Sequence, residues 1–522
     1  MYSLCNKIDR TELHIVEVGK MRLPDLAKQT ALRTGAIFVV KVIGFFARVV
    51  LFRLLGSEGI GLYQMAYSVY ALFLTVITGG FPTALALATA KDPGQGWRLF
   101  KGTAVFLALF GLVLGFYCYS LAPRIAVLLG DAKLEFAVRC AAPAVAIVPF
   151  LSLLRGLLQG MEYYGYIAAS EFIEQVFRVA PMVVIATVWL QYGVPYAVGG
   201  SMLGAPIGAF MSLCFLLAVI ATSTVHKLKI IDKAAFQKLK KPGVILFIYS
   251  ALSIFATRLI VPASDFLDAL IIPRRLQAAG LSVSEATSVY GIITGMALTI
   301  VYMPAIVTSA LAFTLSTKIT ADWELGRQER FAGRTSSAMQ IVWLWGCGSA
   351  LVLFFYAGDL SFLIFSSGAA ETAIRYMALA PLLSGIRELS TVALWGTGNK
   401  KTPLTGLIVG VICSLTLNYC LLAVPGFAYA GAAIGILSLE LIAALWNLNG
   451  LRRYTKGVMD GLLPGTVVVT LLFTVCLFLA KLSAQFLSLP RSVQSVGEMT
   501  LIYGSITLCL FVYFLKKERR LL

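Results

Sequence analysis

Histidine is almost absent from this chain: its 522 residues include only His14 and His226, both in polar segments. A metal centre built on His or a Ser-His-Asp triad is excluded on that ground. Charge is scarce too, at 13% where soluble chains carry roughly 25%. Cysteine is present but unorganised. Its nine copies (Cys5, Cys118, Cys140, Cys214, Cys347, Cys413, Cys420, Cys476, Cys509) fall mostly inside apolar runs, without a CxxC pair, and read as packing residues rather than ligands or disulfides. No GxxxxGK[ST] phosphate loop occurs; Gly396-Thr-Gly-Asn-Lys-Lys-Thr402 has the wrong spacing and reads as an interhelical loop, so the chain does not hydrolyse ATP itself. A carbonyl selectivity filter is not visible, and no loop is long enough for a glycosyltransferase or hydrolase domain, so no enzyme activity is expected.

Apolar sequence is what the chain has in quantity. It is 59% hydrophobic with a mean hydropathy of +0.86, more apolar surface than a water-soluble core can hide. Strand-like alternation is missing while apolar runs of about 20 residues recur, so the spans read as helices whose backbone polar groups are satisfied internally. The expected fold class is an all-α integral membrane protein of about 14 transmembrane helices. Their expected positions are 35–55, 62–89, 102–122, 135–158, 166–190, 195–221 and 243–273, then 286–317, 335–357, 372–395, 402–424, 429–449, 462–483 and 497–515.

Loop charge orients these spans, because Lys and Arg accumulate in short cytoplasmic loops. One side collects the N-terminal segment, Lys91/Arg98/Lys101, the 227–241 segment, 318–334, Lys400/Lys401, Arg452/Arg453/Lys456 and 516–520. That is about 28 basic residues against roughly seven on the other side, which predicts both termini in the cytoplasm of a multi-pass cell-membrane protein. The net charge of +18 is accordingly a topology signal, and nucleic acid is not an expected partner. Met1–Lys20 lacks the pattern of a signal peptide and reads as a polar tail, with Met21 as an alternative start.

An internal echo divides the chain. Tyr63 with Pro82-Thr-Ala-Leu-Ala86 is echoed by Tyr290 with Thr308-Ser-Ala-Leu-Ala312, and Arg155–Gly160 with Tyr196-Ala197 by Arg387–Gly396 with Tyr429-Ala430. The expected organisation is a cytoplasmic tail at 1–34, a six-helix lobe at 35–221, a basic linker at 222–242, a second pseudo-symmetric six-helix lobe at 243–449, and two further helices with a basic tail at 450–522. Repeats that move against each other around a substrate at the midplane are a transporter architecture.

Ionisable groups inside spans are costly unless they face a cavity or a partner. Lys41 and Arg48 are seven apart and share a helical face, with Gly44 between and Arg53 a turn beyond; they line a cavity or snorkel to the interface. Arg258, Asp265, Asp268 and Arg275 fall within roughly a 100° arc of the seventh span, loosened by Pro262 and Pro273. This stripe reads either as a site for an anionic headgroup, a coupling cation or both, or as internal salt bridges. In the fifth span Glu171, Glu174 and Arg178 share a face, within reach of Arg155, Gln159 and Glu162 at the end of the fourth. That network is functional or simply joins two helices. Arg387/Glu388 and Glu440/Asn447 look like smaller structural versions of it.

Several segments then carry a resemblance: Lys41-Val-Ile-Gly-Phe-Phe-Ala-Arg48, Gly56-Ser-Glu-Gly-Ile-Gly-Leu-Tyr-Gln-Met-Ala-Tyr67, Ile271-Ile-Pro-Arg-Arg-Leu-Gln-Ala-Ala-Gly280 and Val289-Tyr-Gly-Ile-Ile-Thr-Gly-Met-Ala297. From about residue 21 onward the chain resembles the stage V sporulation protein B family, a branch of the polysaccharide-export and MurJ-like flippases in the multidrug/oligosaccharidyl-lipid/polysaccharide exporter (MOP, MATE-like) superfamily. The resemblance implies two six-helix lobes around a central cavity, two added C-terminal helices, and alternating access for an undecaprenyl-pyrophosphate-linked saccharide, a lipid II-like precursor for spore cortex or cell wall. Lys41 and Arg48 sit where that family's Ser-Arg-Val-Leu-Gly-Phe-Ala-Arg-Asp motif has its basic residues, with one residue of spacing changed. The second span lacks that branch's arginine, and Val289-Tyr-Gly291 stands where it has an Asp-Arg motif, so Arg258, Arg274 and Arg275 are expected to supply the missing charge. No cofactor is implied beyond a coupling cation or the membrane potential; membrane lipids and cell-wall synthases are the implied partners. The other readings are a multidrug or cation-coupled antiporter of the same superfamily and a non-transporting scaffold for cell-wall synthesis.

Overall fold

The computed structural model describes residues 23–221, 241–455, 466–475, 478 and 491–521; residues 1–22 of the N-terminal tail, most of the basic linker and half of the expected span at 462–483 lie outside the described residues. Every regular element among the described residues is a helix. Ten helices among the described residues are long and apolar enough to cross a membrane, and this is a multi-pass membrane protein. Ten is fewer than the expected fourteen for identifiable reasons. Val42–Lys91 counts once although two spans are expected in it, the expected tenth span is broken at 377–379, and the described residues of the last two do not meet the same measure.

In the first half of the chain α1 (Leu23–Thr78) is followed by α2 (Phe81–Lys91), α3 (Pro93–Ser120), the short α4 (Ala122–Leu129), α5 (Glu135–Gly160), α6 (Tyr164–Trp189), α7 (Val194–Met202) and α8 (Gly204–Ala221). The second half runs α9 (Lys241–Ala278), α10 (Val283–Tyr290), a π-helical stretch at Gly291–Ala297, α11 (Leu298–Val301), α12 (Ala305–Glu324), α13 (Gln328–Phe355), the short α14 (Ala357–Phe365), α15 (Glu371–Tyr376), α16 (Ala380–Gly396), α17 (Lys401–Leu421) and α18 (Ala428–Leu451), with a final helix at Arg491–Leu521. Helices of the first half pack mainly on one another, α3 on α5 and α6 on α8, and those of the second half do likewise, α17 on α18 and α12 on α16. The seam between them is made by α1 and α9, which touch each other, with α1 also against α10 and the π-helical stretch.

Sequence explains the local devices. Gly56 has φ 68 and ψ −177, a conformation open to glycine alone, and it bends α1 into two arms. Glycine also sets the closeness of the seam. A Cβ on Gly61 would lie 2.0 Å from the Thr287 carbonyl oxygen, and one on Gly291 2.3 Å from that of Ser57. Backbones meet there with no side chain between them, the packing that small residues permit in membranes. Ser282 and Glu285 form a reciprocal capping box that starts α10. Despite Pro262 and Pro273, α9 stays one continuous helix. On α3, Val105, Leu109, Leu112 and Phe116 are each at least half exposed along one face. Lipid is the solvent that such a face suits.

Candidate functional site

A cavity of about 300 Å³ opens where both arms of α1 meet α6 and α11. Arg48 lines it from the first arm, Tyr63 and Tyr67 from the second, Gln175 and Arg178 from α6, and Thr299 from α11. The Gly56 bend brings residues on either side of it to one wall. Gly44 lets α6 approach, since a Cβ there would stand 2.9 Å from Gln175 Nε2. Tyr63 and Tyr67 stack with ring centroids 6.1 Å apart, giving the wall a flat aromatic face.

Behind this wall lies a charge network that determines what Arg178 presents. Glu174 divides its carboxylate, Oε2 accepting from Arg155 Nη1 at 2.7 Å and Oε1 from Arg178 Nη2 at 2.5 Å. Arg155 is further held by Nε donating to Ser170 Oγ (2.8 Å) and Nη2 to Ser212 Oγ (2.9 Å), while Ser212 Oγ donates to the Ser170 carbonyl. Arg155 is thus bonded on all sides, whereas Arg178 keeps a buried Nε with no hydrogen-bond partner. Two arginines share one carboxylate, leaving the network one positive charge. Arg48 adds a second and has no ion-pair partner among the described residues. Among the described residues, two guanidiniums and no carboxylate line the cavity.

The corresponding place in the second half pairs one arginine with one carboxylate. Arg387 Nε donates to Glu440 Oε2 at 2.6 Å, Tyr302 Oη donates to Glu440 Oε1 at 3.0 Å, and Asn447 Nδ2 donates to Thr391 Oγ1 at 2.9 Å. Glu440 is almost fully buried and one-to-one with its arginine, so this pair joins helices without net charge. Ser309 Oγ donates to Glu388 nearby at 2.6 Å.

The expected site residues are distributed as follows. Arg48 and the Arg155/Glu174/Arg178 network come together at the cavity. Lys41 belongs to α1, but its side chain lies outside the described residues. Glu171 lies on α6 and engages a partner. Glu162, at φ 63 in the turn after α5, is exposed and has no ion-pair partner among the described residues. The stripe on α9 does not line this cavity. Asp268 Oδ1 accepts from Asn418 Nδ2 of α17 at 2.9 Å. Arg275 Nε donates to the Tyr419 carbonyl at 2.8 Å, with its guanidinium 4.1 Å from the Tyr419 ring centroid. Arg274 Nη2 donates to the Val127 carbonyl at 2.9 Å. Arg258 and Asp265 are exposed, and no salt bridge joins members of the stripe among the described residues. Tyr67, Gln175 and Thr299 were not legible as site residues, because uncharged side chains in apolar helices raise no signal until the helices are assembled.

Comparison with known proteins agrees with this architecture. The chain is 27% identical over 433 residues to stage V sporulation protein B of Bacillus subtilis, covering 80% of this chain and 83% of that protein. It is 23% identical over 501 residues to the lipid II flippase MurJ of the same organism, covering 91% of each. A solved structure of lipid II flippase MurJ in an inward closed conformation superposes with a TM-score of 0.68 over 93% of this chain and 99% of that one, at 14% identity, a likeness of fold. The polysaccharide biosynthesis protein model matches residues 26–312, more than half of the chain, and this protein belongs to that family.

Proposed function

We propose that this protein is a flippase that moves a polyprenyl-diphosphate-linked saccharide across the cytoplasmic membrane by alternating access. The observation that carries the proposal is the sign of the cavity, lined by Arg48 and Arg178 with no carboxylate among the described residues. Paired guanidiniums suit the oxygens of a diphosphate, each able to donate two parallel charge-assisted hydrogen bonds. Tyr63 and Tyr67 offer an aromatic face to the first sugar. The prenyl tail stays in lipid and the headgroup turns with the cavity. An antiporter for cationic drugs calls for carboxylates in this place, so the cavity's charge favours an anionic cargo. Similarity to stage V sporulation protein B and to lipid II flippase MurJ supports a lipid II-like precursor for cortex or wall as the cargo.

In this proposal the lobes at 35–221 and 243–449 rock about the seam of α1 and α9, with both termini in the cytoplasm, an orientation that loop charge supports. Asp265 and Asp268, which sit on α9 outside the cavity, are the candidates for engaging a coupling cation. The test is reconstitution into liposomes with undecaprenyl-diphosphate-linked saccharides inside, followed by an external enzyme that modifies exposed headgroups. Headgroups become accessible with the parent and not with Arg48→Ala at equal incorporation. Equal accessibility with both, or none with the parent for any saccharide offered, overturns the proposal.

A further inference from the structure

Among the described residues, the side-chain hydrogen bonds that cross from the first half of the chain to the second gather at the end of the bundle marked by the Gly56 bend, apart from Gln64 Nε2 donating to the Thr294 carbonyl at 3.1 Å further along α1. Arg53, in the last turn before the bend, points its guanidinium at the second half: Nε donates to the Ile364 carbonyl at 2.9 Å and Nη2 to the Leu363 carbonyl at 2.7 Å. Both acceptors belong to the last turn of α14, where helical carbonyls have no partner of their own and the helix dipole is negative. In the opposite direction Arg274 of α9 donates from Nη2 to the Val127 carbonyl at 2.9 Å, and Gln277 Nε2 donates to the Gly130 carbonyl at 3.1 Å. These acceptors are the last turn and cap of α4.

The two arrangements repeat one another. Arg53 lies near the far end of the first arm of α1, and Arg274 near the far end of α9, the helices that open their halves of the chain. Each crosses to the short helix of the other half, and each short helix ends in a left-handed residue, Gly130 at φ 90 and Ser366 at φ 56. Gly130 is required on two counts, since a Cβ there would also stand 3.2 Å from Arg274 Cγ and from Gln277 Nε2. A further bond between the halves is buried beside them: Thr287 Oγ1 donates to Asp131 Oδ2 at 2.9 Å, with Asp131 3% and Thr287 0% exposed. The crossing bonds thus sit at the end where Gly61 and Gly291 bring the backbones together.

We propose that Arg53 and Arg274 form a reciprocal latch, each cation closing on the C-terminal carbonyls of the other half's short helix, and that both must release for this end of the protein to open. The arginines are donors to backbone carbonyls and not to carboxylates. The latch therefore leaves no buried counter-charge behind when it opens, and the released carbonyls and guanidiniums are taken up by water. It is independent of the cargo, so its failure and a failure of flipping are separate results.

The full chain, with its nine cysteines replaced, is labelled with spin labels at Leu128 of α4 and Phe362 of α14, both exposed, and distances are read by double electron–electron resonance in lipid nanodiscs without substrate. Arg53→Gln and Arg274→Gln each raise the long-distance population by about tenfold, the ratio that 1.4 kcal/mol represents. The double variant raises it further, and Arg53→Lys with Arg274→Lys returns it toward the parent. Gln277→Leu, which removes one neutral bond, gives a smaller shift in the same direction and keeps the test open should the double variant fail to fold. Arg375→Gln, which breaks an exposed pair with Glu371 on α15 and a cation–π contact with Phe354 but no bond between the halves, serves as a control and leaves the distances unchanged. Distances unmoved in the glutamine variants, or moved by only one of the two arginines, overturn the latch.

Discussion

Charge bookkeeping behind the cavity wall makes an ordering of variants that structural damage alone does not mimic. Arg178 offers the cavity one guanidinium, and replacing it by Gln removes a charge-assisted contact worth about 1.5–3 kcal/mol. At 1.4 kcal/mol per tenfold, affinity for a diphosphate falls by roughly 10- to 100-fold. Arg155 does not line the cavity, yet Arg155→Gln acts in the same direction. Without it, Glu174 belongs wholly to Arg178, and the net charge presented falls from two to one. Glu174→Gln does the reverse. It costs stability, because two partly buried arginines lose their shared carboxylate, but it raises the cavity's positive charge and leaves affinity equal or higher. The assay is binding of undecaprenyl diphosphate to purified protein by microscale thermophoresis at two ionic strengths, with melting temperature recorded for every variant. The reasoning fails if Glu174→Gln weakens binding as much as Arg178→Gln, or if Arg155→Gln binds as the parent does.

Arg387→Gln leaves Glu440 buried without its cation, and such breakage costs about 3–5 kcal/mol; a large drop in melting temperature is expected, with partial recovery in Arg387→Met/Glu440→Leu. Gly56→Ala places an L residue at φ 68 and ψ −177, a strain of about 1–3 kcal/mol, readable as a lower midpoint of thermal unfolding in detergent. Gly61→Val puts side-chain atoms into the Thr287 carbonyl, so the end of the bundle at Gly56 does not close. Labels at Leu128 and Phe362 then report a longer separation, and an unchanged distance counts against the backbone contact described for Gly61. Binding of undecaprenyl diphosphate weakens as salt rises if the cavity acts through Arg48 and Arg178, and a flat salt profile argues against an electrostatic site.

Much of the site was visible as cost. An arginine in the middle of an apolar run cannot face lipid cheaply, so Arg48, Arg155, Arg178 and Arg387 stand out without any structure. The helical spacing of Glu174 and Arg178 foretold their pairing, and proximity to the fourth span foretold Arg155. The stripe on α9 shows where this reasoning stops. Its residues do share an arc, but an arc has no label for what stands opposite it. Asp268 and Arg275 meet Asn418 and Tyr419 of α17, while Arg274 crosses to α4. Arg53 is the sharpest case: snorkelling and latching need the same arginine at the same place near a span's end, and only the position of α14 separates them.

From sequence alone come the membrane class, the helical state of the spans and the side on which basic loops collect, because each depends on the solvent that a residue can tolerate. The tertiary structure decided which cations share a wall, which carboxylate is divided between two arginines, and which carbonyls of the other half Arg53 and Arg274 reach. Those outcomes depend on distances between residues far apart in the chain. They are set by how closely glycines such as Gly44, Gly61 and Gly291 let helices approach, a quantity that hydropathy does not contain.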